Sequence, residues 1–426
     1  IDVIITDHHQ KGQLLPSAYC FIHTTKIGGA GVAWILAREI MKSFQSPVSN
    51  LQLSKKLKIN KLKDSMENGR WKMEIRKGLE LCAIGTIADQ LPLLGPNRSF
   101  AKYGLEALNK TKRPGLLALF EEAGIKESAN LPAGRQVGTY EINFLIAPRI
   151  NAMGRMMHAI DSLRLLCTSS YTKAQDLAQL LGETNSERQK VVEEVVAHAR
   201  IKAKKRKWEG IMILHHESYH EGVIGLAASR LVEEFWRPAI VFSVGATYSK
   251  ASARSIPGFN IISAIRELDD MLLDGGGHPM AAGFTIATSK LKKFTQKLDK
   301  VSSLLLTDDL LTKKLKIDLE LNFKQLNWNL VEWVKKFEPT GVGNPTPTFV
   351  SRGVSPLDAR LVGKDRKHLK LKLRQKDQIF SAIAFGFGKI YSKLSPENTI
   401  DIAYRLEENI WNGERNIELK IKDIKN

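Results

Sequence analysis

The sequence predicts an α/β protein that ends in a small β-barrel, and three patterns predict it. A β-branched run, Val3-Ile4-Ile5-Thr6, delivers Asp7-His8-His9 to its end, which is how a buried parallel strand reads. Residues 171–207 place Leu177, Leu180, Leu181, Val191, Val192 and Val195 on one apolar stripe with Gly and Pro nearly absent, the mark of one long helix. Beyond Lys313 the apolar period falls to two, most clearly over 368–374 and 417–422, and short alternating strands of this kind make a small barrel. The fold class is therefore a parallel-sheet α/β unit, a connecting helix, a second and smaller α/β unit, and a terminal β-barrel.

Taken in order, residues 1–170 alternate strand-like and helical stretches. Gly28-Gly29-Ala30-Gly31 opens a helix over 32–44, but it lacks both the G-x-G-x-x-G spacing and a Walker lysine, so a nucleotide loop is not expected. Lys55, Lys56, Lys58, Lys61 and Lys63 read as a solvated connection. The long helix ends in Lys202, Lys204, Lys205, Arg206 and Lys207, which suit the negative end of its dipole. The second unit, 208–306, has strands at 210–214 and 238–243, a loop and helix over 222–235, and helices near 261–268 and 291–304. The barrel takes 313–426.

Charge narrows the function. Lys+Arg 64 against Asp+Glu 45 leaves a net charge of +19, which attracts polyanions, either nucleic acid or an anionic membrane face. No apolar run reaches membrane-spanning length and no basic-then-apolar leader precedes the first strand, so the expectation is a cytoplasmic protein without a membrane partner. Cys20, Cys82 and Cys167 are scattered and never in C-x-x-C spacing, which argues against a disulfide framework or a structural zinc site.

Four constellations carry chemistry. In the first, Asp7, His8 and His9 at a strand end suit a divalent metal such as Mn²⁺ and a hydrolytic phosphate site; a surface turn is the plain alternative. In the second, Asp89 leaves the apolar stretch Ile84-Gly85-Thr86-Ile87-Ala88, either to cap the next turn or to share a metal with His8. In the third, Arg149, Asn151 and Arg155, with Gly154 among them, form a phosphate clamp, because guanidinium matches phosphate oxygens two at a time. The fourth joins Ser252 and Arg254 to Gly275-Gly276-Gly277-His278, read as a glycine-rich turn whose N–H groups approach an anion, followed by an Ala281-Ala282-Gly283 helix start. His216-Glu217-Ser218-Tyr219-His220 matches H-E-x-x-H, but it follows a strand and precedes the helix. It is read as a loop and not as a zinc protease.

These motifs, with Gly85-Thr86-Ile87-Ala88-Asp89 running to Pro92-Leu93 and Phe337-Glu338-Pro339-Thr340-Gly341 ahead of the barrel, resemble the DHH phosphoesterases. Their order and spacing resemble the family's single-strand-specific DNA exonucleases, and the likeness spans essentially the whole chain. The resemblance implies a DHH domain over 1–170, a connecting helix over 171–207, a DHH-associated domain over 208–306 and an OB-type domain over 313–426. It implies 5′-to-3′ removal of mononucleotides from single-stranded DNA in repair and recombination, using two Mn²⁺ or Mg²⁺ ions. By the same resemblance His8 and Asp89 ligate metal and Asp7 and His9 act at the metals or the scissile phosphate. Arg149, Asn151 and Arg155 line the nucleotide path, while Ser252, Arg254, Gly276, Gly277 and His278 hold DNA phosphates, including the 5′ end. Single-strand-binding protein or a helicase are the implied partners, and a monomer the implied state.

One departure matters. The family carries two further aspartate motifs before the DHH strand, and this sequence contains neither, so the metal site is expected to be incomplete and the chain is read as a fragment of a longer enzyme. Two other readings remain: a non-catalytic DHH-derived DNA-binding scaffold, and a phosphodiesterase for oligonucleotides or cyclic dinucleotides. Intact motifs oppose the first; the OB-like extension and the charge oppose the second.

Overall fold

The computed structural model describes residues 4–7, 18, 20–45, 78–125, 137–395, 397–411 and 413–425. The chain divides into two compact units: Ile1–Lys112 with Gly124–Ala147 and Lys316–Asn426, and Arg113–Ala123 with Pro148–Leu315.

In the first unit, β1 (Ile4–Asp7) pairs in parallel with β2 (Cys20–His23), as the β-branched run requires. Helices α1 (Gly29–Gln45), α2 (Leu79–Ala88) and α3 (Gly95–Leu108) follow, packing Val32, Cys82 and Phe100 into a small core with Ile27. α2 is apolar on nearly every face and correspondingly buried. The lysine-rich connection of 55–63 lies outside the described residues. Residues 78–167 differ from the expected alternation: among the described residues they contain helices alone. Short apolar runs such as Ile84–Ala88 fit a strand or a buried helix equally, and packing decides between them.

α4 (Pro114–Glu122) belongs to the second unit, with α5 (Ala147–Met156), α6 (Ile160–Cys167) and the 34-residue α7 (Tyr171–Lys204). Ser170 caps α7 by accepting from the Lys173 amide. Its buried stripe, Ala174, Ala178, Leu181, Val192, Val195, Ala199 and Ala203, is spaced by three, four or eleven residues, each close to a whole number of turns. A small α/β layer follows: β3 (Met212–His216), α8 (Ile224–Phe235), β4 (Ala239–Val244), β5 (Tyr248–Arg254), α9 (Ile261–Arg266), β6 (Leu272–His278), β7 (Ala281–Ala287) and α10 (Leu291–Leu305). The sheet order is β3-β4-β5-β7-β6, parallel between β3 and β4 and antiparallel elsewhere. Phe242 meets Phe284 and Phe294 edge to face in its core, and Phe284 lies tilted against Phe294.

The remainder of the first unit holds β8 (Leu319–Glu320), α11 (Trp328–Lys335), β9 (Phe349–Val362), β10 (His368–Gln375), β11 (Gln378–Ala384), β12 (Ile400–Trp411) and β13 (Glu414–Lys425). β9 pairs with both β10 and β12, which closes β9-β10-β11-β13-β12 into a five-stranded barrel. Period-two patterning is what makes the barrel: Leu369, Leu371 and Leu373 point inward and are sealed, while the residues between them face out.

Candidate functional site

Antiparallel register decides which side chains share a face, since opposed residues point the same way and neighbours along a strand point apart. β5 presents Lys250, Ser252 and Arg254 outward and buries Ser249, Ala251 and Ala253. Thr285, Gly283 and Ala281 of β7 stand opposite them, and Asp274, Gly276 and His278 of the edge strand β6 come next. Three rungs result: Lys250–Thr285–Asp274, Ser252–Gly283–Gly276 and Arg254–Ala281–His278. The middle rung is nearly devoid of side chains and forms the floor of a trough.

A cavity of about 450 Å³ opens on this face, lined also by Gly154 and Arg155 of α5 and by Gly222, Ile224 and Gly225 at the start of α8. A Cβ on Gly225 would stand 2.9 Å from both Arg254 Nη2 and Ser252 Oγ, so glycine lets the first turn of α8 lie against them. That turn brings the positive end of a helix dipole to the cavity.

Arg254 Nη1 donates to Ser252 Oγ at 3.1 Å and to the Ala253 carbonyl at 2.8 Å, and Arg155 Nη1 donates to the Gly222 carbonyl at 3.3 Å. Burial lowers the proton affinity of both guanidiniums, and for Arg254 the nearby Arg155 charge adds to it. Both stay charged, since arginine is not deprotonated in proteins. Two acids also line the cavity: Glu221, bound to Lys250 at 2.6 Å, and Asp274 on the Lys250 rung. Two half-buried positive charges held only by neutral partners fit an anion, and their fork geometry fits phosphate.

The sheet thus gathers Ser252, Arg254, Gly276 and His278 on one face, with Arg155 above it. Two expectations are corrected here. Gly275-Gly276-Gly277-His278 lies in the strand β6, not a turn, and Ala281-Ala282-Gly283 begins β7, not a helix. Glycine is depleted in strands for entropic reasons, so a triple-glycine run reads as a turn; here Phe284 and Ile286 pin the hairpin to the core. Gly277 is needed for close approach, because its Cβ would lie 2.5 Å from Ala282 Cα.

The three-residue clamp on α5 is also corrected. Asn151 and Arg155, four residues apart, share a helix face, whereas Arg149 is turned away from them and binds Glu122 of α4 at 2.5 Å. A five-residue π-helical stretch, Ile142–Ile146, runs directly into this helix.

Of the metal candidates, Asp7 ends β1 and Asp89 follows α2, exposed, with its amide bonded to the Gly85 carbonyl at 3.0 Å. A carboxylate at a helix C-terminus faces the negative dipole end and gains from a cation beside it. His8 and His9 lie outside the described residues. Carboxylates suit Mn²⁺ or Mg²⁺, but among the described residues no three His, Cys, Asp or Glu side chains come together as a metal centre. The described residues therefore do not by themselves fit a two-metal site. His216 ends β3, eight residues before α8 begins, so the H-E-x-x-H segment offers no zinc-binding helix face.

On the barrel, Lys372 and Arg374 are exposed on the outer face of β10, while Lys370 is bound to Glu418. At the end of that strand His368 meets the 54 % exposed Phe385 edge to face, with Lys420 Nζ 5.7 Å from the same ring. Basic side chains around an exposed aromatic suit a single strand with unstacked bases. Lys250 and Gly225 escaped sequence reading. Lys250 stands at period two before Ser252 and Arg254, and Gly225 opens an apolar helix, so both left a signal.

Among the described residues, no helix is long and apolar enough to cross a membrane.

Residues 209–303 match the DHHA1 domain and residues 317–423 the RecJ OB domain. The single-stranded-DNA-specific exonuclease RecJ of Bacillus subtilis is 30% identical over 99% of this chain and 51% of its own length. The enzyme of the same name from Salmonella typhimurium is 30% identical over 100% of this chain and 73% of its own. The crystal structure of RecJ in complex with Mn²⁺ from Thermus thermophilus superposes with a TM-score of 0.80 and 29% identity, covering 100% of this chain and 58% of that one. This chain spans about half the length of the Bacillus relative.

Proposed function

Because the chain belongs to the RecJ family, we propose that it is part of a metal-dependent exonuclease that hydrolyses single-stranded DNA 5′ to 3′ to mononucleotides in repair and recombination. The observation that carries the reading is the trough of β5, β7 and β6 beneath Arg155 and Arg254. Arg155, Ser252 and Arg254 bind a DNA phosphate there, the 5′-terminal one included. Gly276 and Gly277 keep the trough open for the strand, and His278 contacts it at the far end of the Arg254 rung. Asn151, on the Arg155 face of α5, touches the same strand. Arg149 acts at one remove, orienting α5 through Glu122.

Asp7, His8, His9 and Asp89 belong to the metal site, with His8 and Asp89 as ligands and Asp7 and His9 at the metals or the scissile phosphate. Mn²⁺ or Mg²⁺ bound there would supply an activated water and neutralise charge on the phosphate. Residues 313–426 guide the strand as an OB-type domain, 208–306 act as the DHH-associated domain, and 171–207 connect it to the DHH domain of 1–170. The enzyme works in the cytoplasm as a monomer, with single-strand-binding protein or a helicase supplying substrate.

The test compares strands labelled at either end, with and without Mn²⁺, using the full-length protein and its Asp89→Asn variant. Mononucleotides released from the 5′ end, lost in the variant while salt-sensitive binding persists, are expected. Binding without cleavage by the unmodified protein would favour a scaffold. Equal rates on dinucleotides and long strands would favour an oligonucleotide phosphodiesterase.

A further inference from the structure

We infer that the loop 337–346, between α11 and β9, is a strap that holds the turn carrying Asp89, with Asn344 as its positioning residue, so that this loop sets the rate of strand cleavage. This rests on the reading of Asp89 as part of the hydrolytic site. It extends that reading to the motif at 337–345, which neither the trough nor the barrel face uses.

At the end of α2 the Gln90 amide donates to the Ile87 carbonyl at 3.1 Å and the Leu91 amide to the Thr86 carbonyl at 3.3 Å, a pairing that requires a left-handed residue at position 90. Glycine ordinarily fills that place, yet here it is Gln90, at φ 55°. A strained residue of this kind persists only where its surroundings hold it, and two sets of contacts do so. On one side Gln90 Nε2 donates to Asn143 Oδ1 at 2.7 Å. On the other, the Leu93 amide donates to the Val342 carbonyl at 2.7 Å. The loop backbone lies flat on Pro92 and Leu93: a Cβ on Gly341 would stand 2.8 Å from Leu93 Cδ1, and one on Gly343, at φ 74°, 3.1 Å from Pro92 Cβ. Arg98 Nη2 clamps the root of the loop through the Lys336 and Phe337 carbonyls, at 2.9 and 3.1 Å. All these residues belong to the first compact unit. Loops are ordinarily mobile, but this one is closed from within. Gly341 and Asn344 exchange backbone bonds at 2.9 and 3.2 Å, and Thr346 Oγ1 donates to Thr340 Oγ1 at 3.1 Å. Asn344 Nδ2 donates to the Phe337 and Pro339 carbonyls at 2.8 and 3.1 Å. The shape of the loop thus depends on the Asn344 amide, and through Val342 that shape reaches the turn of Asp89. A misplacement of about 1 Å at a reacting centre can cost roughly hundredfold in rate.

The experiment compares the full-length protein with its Asn344→Asp variant, which has the same size but no side-chain N–H to give. It measures kcat and KM on a labelled single strand with Mn²⁺, affinity for the strand in EDTA, melting, and hydrogen exchange of the Leu93 amide. The variant should exchange Leu93 faster and lose roughly tenfold or more in kcat, as a slack of a few tenths of an ångström at the reacting centre requires. KM, affinity in EDTA and melting should stay near wild type, since the strap neither touches the strand nor carries the core. A kcat within about twofold of wild type overturns the inference, whether or not Leu93 exchanges faster. So does a fall in kcat that comes with an equal loss of affinity or with lower melting, because that marks a merely structural loop. Should Asn344→Asp not fold, Thr346→Val, which removes one bond from the same loop, is judged by the same measures. Asp89→Asn separates the two readings. If it cleaves like wild type, Asp89 leaves the hydrolytic site and the strap loses its purpose; if it is inactive while Asn344→Asp is unimpaired, only the strap is refuted.

Discussion

Replacing Gly225 by alanine tests the phosphate pocket at its tightest point. The new Cβ would stand 2.9 Å from Arg254 Nη2 and 2.9 Å from Ser252 Oγ, closer than such contacts allow. Both atoms end side chains that can rotate, so the helix stays and the arginine moves. Alanine in place of glycine favours a helix by up to about 1 kcal/mol, which offsets part of the lost Arg254–Ser252 hydrogen bond. Folding stability should therefore change by no more than about 1 kcal/mol. Binding should not be spared. A displaced Arg254 loses a charge-assisted contact with phosphate, typically about 1.5–3 kcal/mol, or roughly tenfold to hundredfold in affinity at about 1.4 kcal/mol per decade. Anisotropy titration of a 5′-phosphorylated single strand in EDTA measures the loss, and a melting curve verifies the fold. Affinity within twofold of wild type, in a protein that melts normally, would refute the placement of phosphate between α8 and β5.

Two further outcomes follow from the barrel. Each phosphate contact on a single strand contributes about 0.7 to the slope of log affinity against log salt, so a Lys372→Gln, Arg374→Gln double variant should flatten that slope by roughly 1.4; Lys370→Gln, whose target is already bound to Glu418, should flatten it less, and no flattening in the double variant would remove this face from the DNA path. Glu408 accepts from Arg415 and from Lys335 Nζ at 2.5 Å, and these cations hold its carboxyl below the ordinary carboxylate value. A pKa lower in the folded than in the unfolded state gives stability that is present above the unfolded value and is lost as pH falls through the folded one. Glu408→Gln should therefore melt below wild type at pH 7, with the gap closing on acidification; a gap that widened toward pH 3 would contradict this.

Much of this was legible in the sequence because it rests on periodicity. Leu369, Leu371 and Leu373 alternate and are buried, and the stripe of α7 repeats and is buried, as residue patterns alone require. What stayed illegible depends on contacts between distant segments. The edge strand Gly275–His278 has no side-chain signal for a strand; its partner β7 makes it one. Arg149 reads as a ligand arginine until Glu122, 27 residues earlier, is found against it. The Asp-His-His segment is legible as candidate chemistry, yet of its three residues only Asp7 lies among those described.

The 34 residues of α7 carry a further consequence. At 1.5 Å per residue the helix is a rod of about 50 Å, and one unbroken rod holds Asn185 and Arg188 in its middle while its far half presses Val195 and Ala199 into the sheet's core. Each residue added between them would turn everything beyond it by about 100°. The spacing between the Asn185–Arg188 pair and the core is thus constrained by phase as well as by length: insertions of seven or eleven residues nearly restore the facing, and a single one does not. Relatives that keep this architecture should vary in helix length by those steps or not at all.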